Sequence, residues 1–230
     1  MFEKLDANSF SEAQEFKTNQ LEAILQECIK IYNNITITQS NFPDKENIIR
    51  NEFLTYLKND DYKNAHNPLG NYHFDKETDE GAGRADIRIL PVNPYQGDRA
   101  YYIIECKRLD SKNLKGSTGL NAKYIANGIC RFIYEIYPSY YKVSVMFGFL
   151  VESLNIDTDI IDNINSMIDH PFVNDHDKTV NANAIRKLQH HNLSGGYKYA
   201  YTSRHKINTG NTSIMLYHLM FDFSRNILST

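Results

Sequence analysis

An acid and a base two residues apart close an otherwise apolar run, Tyr101-Tyr102-Ile103-Ile104-Glu105-Cys106-Lys107. In an extended strand side chains alternate between faces, so Glu105 and Lys107 share one face and Cys106 points to the other. A second carboxylate, Asp86, opens the preceding run Asp86-Ile87-Arg88-Ile89-Leu90, nineteen residues before Glu105. Pro91, Pro94 and Gly97 punctuate the intervening segment as a turn, so the two runs are expected to pair as an antiparallel hairpin. Such pairing sets the start of one strand beside the end of the other and lets both carboxylates and the lysine converge. Hard oxygen ligands of this kind suit Mg²⁺ or Mn²⁺, and Mg²⁺ keeps several waters while taking only one or two carboxylates. A metal so placed polarises a phosphoryl oxygen and lowers the pKa of a bound water. The neighbouring ammonium can orient or deprotonate that water, or stabilise charge developing on the phosphate. The alternative is a salt bridge between Glu105 and Lys107 at a solvated strand end, worth about 0–1 kcal/mol. It accounts for two charges and leaves Asp86 unexplained.

Positioning these groups requires a sheet with helices on its faces. Residues 11 to 33 carry Phe16, Leu21, Ile24, Leu25, Cys28, Ile29 and Tyr32 at helical spacing. A second amphipathic segment follows Pro43, with Asp44 as the expected N-cap and Ile48, Ile49, Phe53, Leu54 and Leu57 as its stripe. Polar and glycine-containing sequence continues to Gly83 and is read as irregular. After the hairpin, residues 120 to 138 are helical up to Pro138, and Gly128 inside that helix costs about 1 kcal/mol relative to Ala. The cost points to close packing against the sheet beside the site. The run 143 to 151 is apolar throughout, as befits a strand buried on both faces. Residues 157 to 168 read as a helix, residues 181 to 191 as a candidate helix, and two strand candidates close the chain. The order implies a mixed α/β, or α+β, domain: a central mixed sheet flanked by helices.

The pattern Asp86 … Glu105-Cys106-Lys107 resembles the D…(D/E)-x-K signature of the PD-(D/E)xK nuclease superfamily, the restriction-endonuclease-like fold. The likeness extends to element order and covers roughly residues 44 to 151, with Ala85 standing where the family name writes Pro. The resemblance implies a metal-dependent endonuclease that hydrolyses phosphodiester bonds, with Asp86, Glu105 and Lys107 catalytic and Mg²⁺ or Mn²⁺ as cofactor. It also implies a metal-site carboxylate from the helix before the hairpin; Glu52 is the expected residue and Glu46 the competitor. On this reading residues 1–230 form a single nuclease-like domain whose core, about 44–151, carries an N-terminal helix and a C-terminal strand extension.

Nucleic acid, DNA before RNA, is the expected partner, and a homodimer is compatible with it. A net charge of −3 gives no global basic signal, so attraction must come from a local patch or bound metal. Tyr124 and Arg131, about two helical turns apart, are expected on one face and in reach of phosphate oxygens. Tyr197, Tyr199 and Tyr201, with Lys198, Arg204 and Lys206 nearby, combine aromatic and basic groups as a nucleic-acid surface does, though a strand packed on the core explains them as well. The eight histidines show no metal-ligand spacing, and His205 and His218 fall in strand-like sequence as core or substrate contacts. Three dispersed cysteines exclude a disulfide framework or zinc site and suit the cytoplasm. The polar N-terminal stretch gives no signal-peptide pattern, and no run spans a bilayer. Two other classes remain open: a catalytically inactive nuclease-fold module that binds nucleic acid or a protein, and an antiphage or toxin-like effector acting on RNA or nucleotides.

Overall fold

The computed structural model describes residues 11–39, 41–80, 83–92, 101–139, 141–193 and 195–228. The turn expected over Pro91, Pro94 and Gly97 lies largely on residues 93–100, outside the described residues, as does the N-terminal stretch 1–10. The helices are α1 (Ser11–Thr38), α2 (Glu46–Leu57), α3 (Asp60–Ala65), α4 (Leu120–Tyr124), α5 (Cys130–Ile133) and α6 (Asp162–Met167). A π-helical turn over Ile125–Ile129 joins α4 to α5, and another over Ile156–Ile161 leads into α6. The strands are β1 (Tyr72–Glu80), β2 (Gly83–Pro91), β3 (Tyr102–Leu109), β4 (Val143–Leu150), β5 (Phe172–Val173), β6 (Thr179–Val180), β7 (Ala184–His190), β8 (Ala200–Lys206) and β9 (Ser213–Asp222).

Seven strands form one sheet in the order β1-β2-β3-β4-β9-β8-β7, while β5 and β6 pair separately. The central pairs β3–β4 and β4–β9 are parallel and the outer pairs antiparallel. The protein is therefore mixed α/β, with a mixed sheet flanked by helices. Because β9 pairs directly with β4, the C-terminal strands extend the same sheet rather than forming a separate layer. No helix among the described residues is long and apolar enough to cross a membrane.

Each sheet face has its own core. On one face, α1 buries Leu21, Ile24, Leu25, Cys28, Ile31 and Ile35, a helical stripe over the strands. Helix α2 adds Phe53, whose ring lies 5.5 Å from that of Phe147 and 5.2 Å from that of Phe221. On the other face, α4 to α6 bury Ile125, Ile129, Phe132, Ile160 and Ile164 against Ile103, Leu109, Met146 and Leu216. Covered on both sides, β4 is buried along its whole length, as its unbroken apolar run requires.

Three local expectations are corrected. The polar stretch before Gly83 contains β1, an edge strand whose one sheet neighbour among the described residues is β2; its polar side chains suit an exposed edge. The candidate helix at 181–191 is instead β7, the opposite edge: Ala184 and Leu188 fit a period of 4 as well as one of 2, and pairing with β8 decides for strand. Asp44 does not cap α2. Lys45 holds the cap position without a side-chain bond, and the Asp44 carboxylate accepts from Arg108 Nη1 at 2.6 Å.

Candidate active site

The site forms where β2 and β3 part. Their antiparallel register runs from Ile89–Tyr102 to Ile87–Ile104 and stops there, whereas β3 continues beside β4 as far as Leu109–Leu150. Past the split, Asp86 replaces the missing ladder partner: its Oδ2 accepts from the Cys106 backbone N–H at 2.8 Å. Its Oδ1 accepts from Arg50 Nη1 of α2 at 2.6 Å. Both carboxylates lie within their strands, Asp86 fourth in β2 and Glu105 fourth in β3, and they meet because the pairing of the two strands ends at Ile87–Ile104. Asp86, Glu105 and Lys107 are brought together.

On β3, Glu105 and Lys107 lie in the alternation of Ile103 and Leu109, facing α4 and α5, while Cys106 faces α1 and α2. Lys107 Nζ donates to Glu105 Oε1 at 2.6 Å and to the Cys106 carbonyl at 2.9 Å. This is no solvated strand end: the Glu105 side chain is 1% exposed and that of Lys107 14%. Gly128 explains part of the burial, since a Cβ there would stand 2.4 Å from Met146 Cε and 3.5 Å from Lys107 Cγ. Its absence lets the helix backbone lie on the lysine stem.

Electrostatics follow from that burial. Desolvation pushes the Glu105 carboxyl up to about 7, with the Asp86 charge adding to the rise and Lys107 and Arg131 opposing it. Burial alone would lower Lys107, but Glu105, Glu46 and Asp86 together hold it above the ordinary lysine value. Lys107 is therefore a fixed ammonium, suited to stabilising negative charge rather than to removing a proton. Among the described residues Glu105 Oε2 is buried without a hydrogen bond of ordinary geometry, and the Tyr137 hydroxyl stands beside the same carboxylate.

Helix α2 supplies Glu46 in the place expected of Glu52. Glu46 Oε2 accepts from the Arg108 backbone N–H at 2.8 Å, and its Oε1 is 3.8 Å from Lys107 Nζ. Glu52 instead accepts from Gln39 Nε2 at 2.8 Å, near the end of α1. The reason is helical phase: Glu46 and Arg50, four residues apart, share the face turned to the split strands, and Glu52 is six residues from Glu46. The Glu46, Arg50 pair is the signal that a positional reading of α2 missed.

A cleft of about 350 Å³ opens over Lys107, lined among others by Glu46, Arg108, Lys123, Arg131 and Asp175. Arg131 lines it: its Nη1 is 3.4 Å from Glu105 Oε1 and bonds the Tyr137 hydroxyl, and its Nη2 is 2.9 Å from Asp175. The other residues expected at nucleic acid do not reach the cleft. Tyr124 is fully buried and bonds His218 Nδ1 at 2.8 Å. Lys198 lies 3.9 Å from Asp157 and over the Tyr199 ring. Arg204 and Lys206 are exposed, but they alternate against Tyr201 and Ile207, which pack on the α4–α6 face, and so point to the face opposite Glu105 and Lys107. The three tyrosines do not share a strand face: β8 begins at Ala200, Tyr197 packs on the α1 side, and Tyr199 and Tyr201 pack on the other.

A second polar assembly lies on the same sheet face. Across the ladder, Glu105 is in register with Met146, Met146 with His218, and His218 with Tyr201. From His218 a buried chain runs through Ser203 Oγ (2.7 Å) to His205 Nε2 (2.6 Å), and His205 Nδ1 meets the Ala182 carbonyl at 2.7 Å. A carbonyl only accepts, so His205 carries its proton on Nδ1, Ser203 donates to His205, His218 donates from Nε2 to Ser203, and Tyr124 donates to His218. One direction satisfies every group. Burial lowers His205 to about 4 and His218 well below the usual histidine value, so both are neutral.

The donor set was weighed against a divalent cation. Among the described residues no group of three or more His, Cys, Asp or Glu side chains comes together to hold a metal. Mg²⁺ takes as few as one or two carboxylates, and the carboxylate oxygen left here without a hydrogen bond is the buried Glu105 Oε2. Asp86 gives both oxygens to Arg50 and the Cys106 N–H, and Glu46 Oε2 accepts from the Arg108 N–H, so a hard cation would rest on the Glu105 carboxylate, with Asp86 a donor only where it displaces Arg50. No family model, no curated protein and no solved structure matches the chain.

Proposed function

We propose that the protein is a divalent-metal-dependent nuclease that hydrolyses phosphodiester bonds, with DNA as substrate. One observation carries the reading: a buried carboxylate with an unbonded oxygen, Glu105, is paired with a fixed ammonium, Lys107, beneath a cleft rich in cations. A Mg²⁺ held at Glu105, and at Asp86 where it displaces Arg50, would supply Lewis-acid polarisation of the phosphate and a water of lowered pKa. Lys107 stabilises the charge that grows on the phosphoryl oxygens, because it is already protonated and cannot serve as base at neutral pH. Arg131 grips a neighbouring phosphate oxygen from the helix side. The test is incubation with supercoiled plasmid, linear duplex, single strands and RNA in Mg²⁺, Mn²⁺ or EDTA. Cleavage that needs metal and Lys107 supports the reading, and intact substrates under every condition overturn it.

A second reading rests on Arg50, whose guanidinium occupies Asp86 Oδ1. A nuclease-fold module that binds nucleic acid without turnover would keep that pair permanently. It requires nucleic-acid binding that EDTA leaves unchanged, together with no cleavage.

A further inference from the structure

The hairpin β5–β6 reaches from the core to the rim of the cleft. Its base is anchored, with Phe172 and Val180 buried among the residues under α4 to α6. Its tip, residues 174 to 178, is a closed turn rather than a loose loop. Asn174 Oδ1 accepts from the backbone N–H groups of His176 and Lys178, both at 3.0 Å, and Asp177 takes a left-handed φ of 55°. The tip is docked on the helix side of the cleft, where the Asp175 N–H donates to Asn127 Oδ1 at 2.9 Å.

That docking holds one carboxylate in a definite place. Asp175 meets Arg131 Nη2 at 2.9 Å, while Arg131 Nη1 faces Glu105 at 3.4 Å. Asp175 and Glu105 therefore share one guanidinium, each at its own nitrogen. Asp175 comes from the separate β5–β6 hairpin rather than from the seven-stranded sheet, and its carboxylate reaches Arg131 Nη2 at 2.9 Å and stands 3.8 Å from His176 Nε2. A guanidinium is a planar fork suited to carboxylate and phosphate alike, so one ligand excludes the other from the same edge.

We propose that Asp175 is a built-in competitor for the substrate phosphate: it occupies the Arg131 edge that a phosphate group would take, and so sets the anion affinity of the cleft. The inference rests on the nuclease reading for its substrate class. With Asp175 40% exposed, the pair is a weak one that a multiply charged phosphate can displace and a small monoanion cannot.

The experiment is calorimetric titration with inorganic pyrophosphate of the full chain, Asp175→Asn, Arg131→Gln and the double variant. Asp175→Asn retains the backbone bond to Asn127, so the hairpin stays docked, and Asp175→Ala serves as a second variant that removes the same charge. Both Asp175 variants should bind pyrophosphate roughly threefold tighter or more, the scale of an exposed ion pair. The gain should vanish when Arg131 is also replaced. Equal or weaker binding by the Asp175 variants, no binding by any of the proteins, or a gain that survives loss of Arg131 overturns the proposal. Pyrophosphate is not a nuclease substrate, so a failure to cut nucleic acid would remove the parent reading without altering these titrations.

Discussion

Arg50 Nη1 stands 2.6 Å from Asp86 Oδ1, on the carboxylate oxygen turned away from β3. A positive charge so placed opposes a divalent cation at the same carboxylate. Arg50→Gln should therefore tighten Mn²⁺ binding by about tenfold, or about 1.4 kcal/mol, in calorimetry. Asp86→Asn should weaken it strongly. Weaker Mn²⁺ binding by Arg50→Gln would show that the guanidinium supports the cation site instead of competing with it.

Lys107→Ala should lower cleavage by at least ~3 kcal/mol in transition-state stabilisation, and Lys107→Arg should fail substantially, since a planar fork cannot replace a compact ammonium against Glu105. Folding should also suffer, because the partner left behind is a buried carboxylate; breaking such pairs costs about 3–5 kcal/mol. The sign with pH is set by Glu105, whose folded value is raised from 4.5 to about 7. The folded state binds the proton more tightly over that window, so stability falls as pH rises from about 4.5 through 7. Lys107→Ala should accordingly melt well below the parent at pH 8 and close to it at pH 5. Equal deficits at both pH values would assign the loss to packing.

Glu46→Gln should reduce cleavage at least tenfold, about 1.4 kcal/mol, while Glu52→Gln leaves it within twofold or so. The ranking follows from Glu46 lying 3.8 Å from Lys107 while Glu52 bonds Gln39. Steady-state cleavage of one duplex by both variants decides it, and the reverse order would place the site elsewhere on α2.

The Tyr124–His218–Ser203–His205 chain should make the protein acid-sensitive. His205 is held to about 4 when folded and titrates near 6.5 when unfolded. The unfolded chain binds more protons between these values, so stability is full above about pH 6.5 and is lost as pH falls through about 4. The loss from His205 alone is about 3 kcal/mol. Urea unfolding at a series of pH values should show it, and His205→Gln should flatten the slope. An unchanged slope in that variant would give the acid sensitivity to other groups.

What was legible in the sequence was what alternation and punctuation encode. Ile87, Ile89, Tyr102 and Ile104 announce two strands, and antiparallel pairing then brings Asp86 to Cys106. Gly128 was legible too, because a helix tolerates such a residue where something must come close, here Met146 and Lys107. The edges were not. In β1 and β7 the neighbour on one side only leaves polar residues free to obscure the period. Glu52 was misplaced because a helix before a hairpin can be recognised without its rotation, which is set by which residues bury against the sheet. The histidine chain was hidden for another reason: Tyr124 and His218 are 94 residues apart, and only the β4–β9 pairing under α4 joins them.

Met146 sits in the sheet row between Glu105 and His218. Its thioether offers no hydrogen-bond donor and is a weak acceptor, so it separates the two polar clusters. On one side lies the ionic cluster of Glu105, Lys107 and Arg131, and on the other a chain of neutral groups whose hydrogen bonds all run one way. Adjacent strands are spaced about 4.8 Å, so the two clusters are roughly 10 Å apart, close enough for a single polar side chain in the middle to join them. Separation by one apolar side chain lets the cleft change its charge state while the neutral groups keep their tautomers, and with them the hold on the helix that carries Asn127 and Arg131.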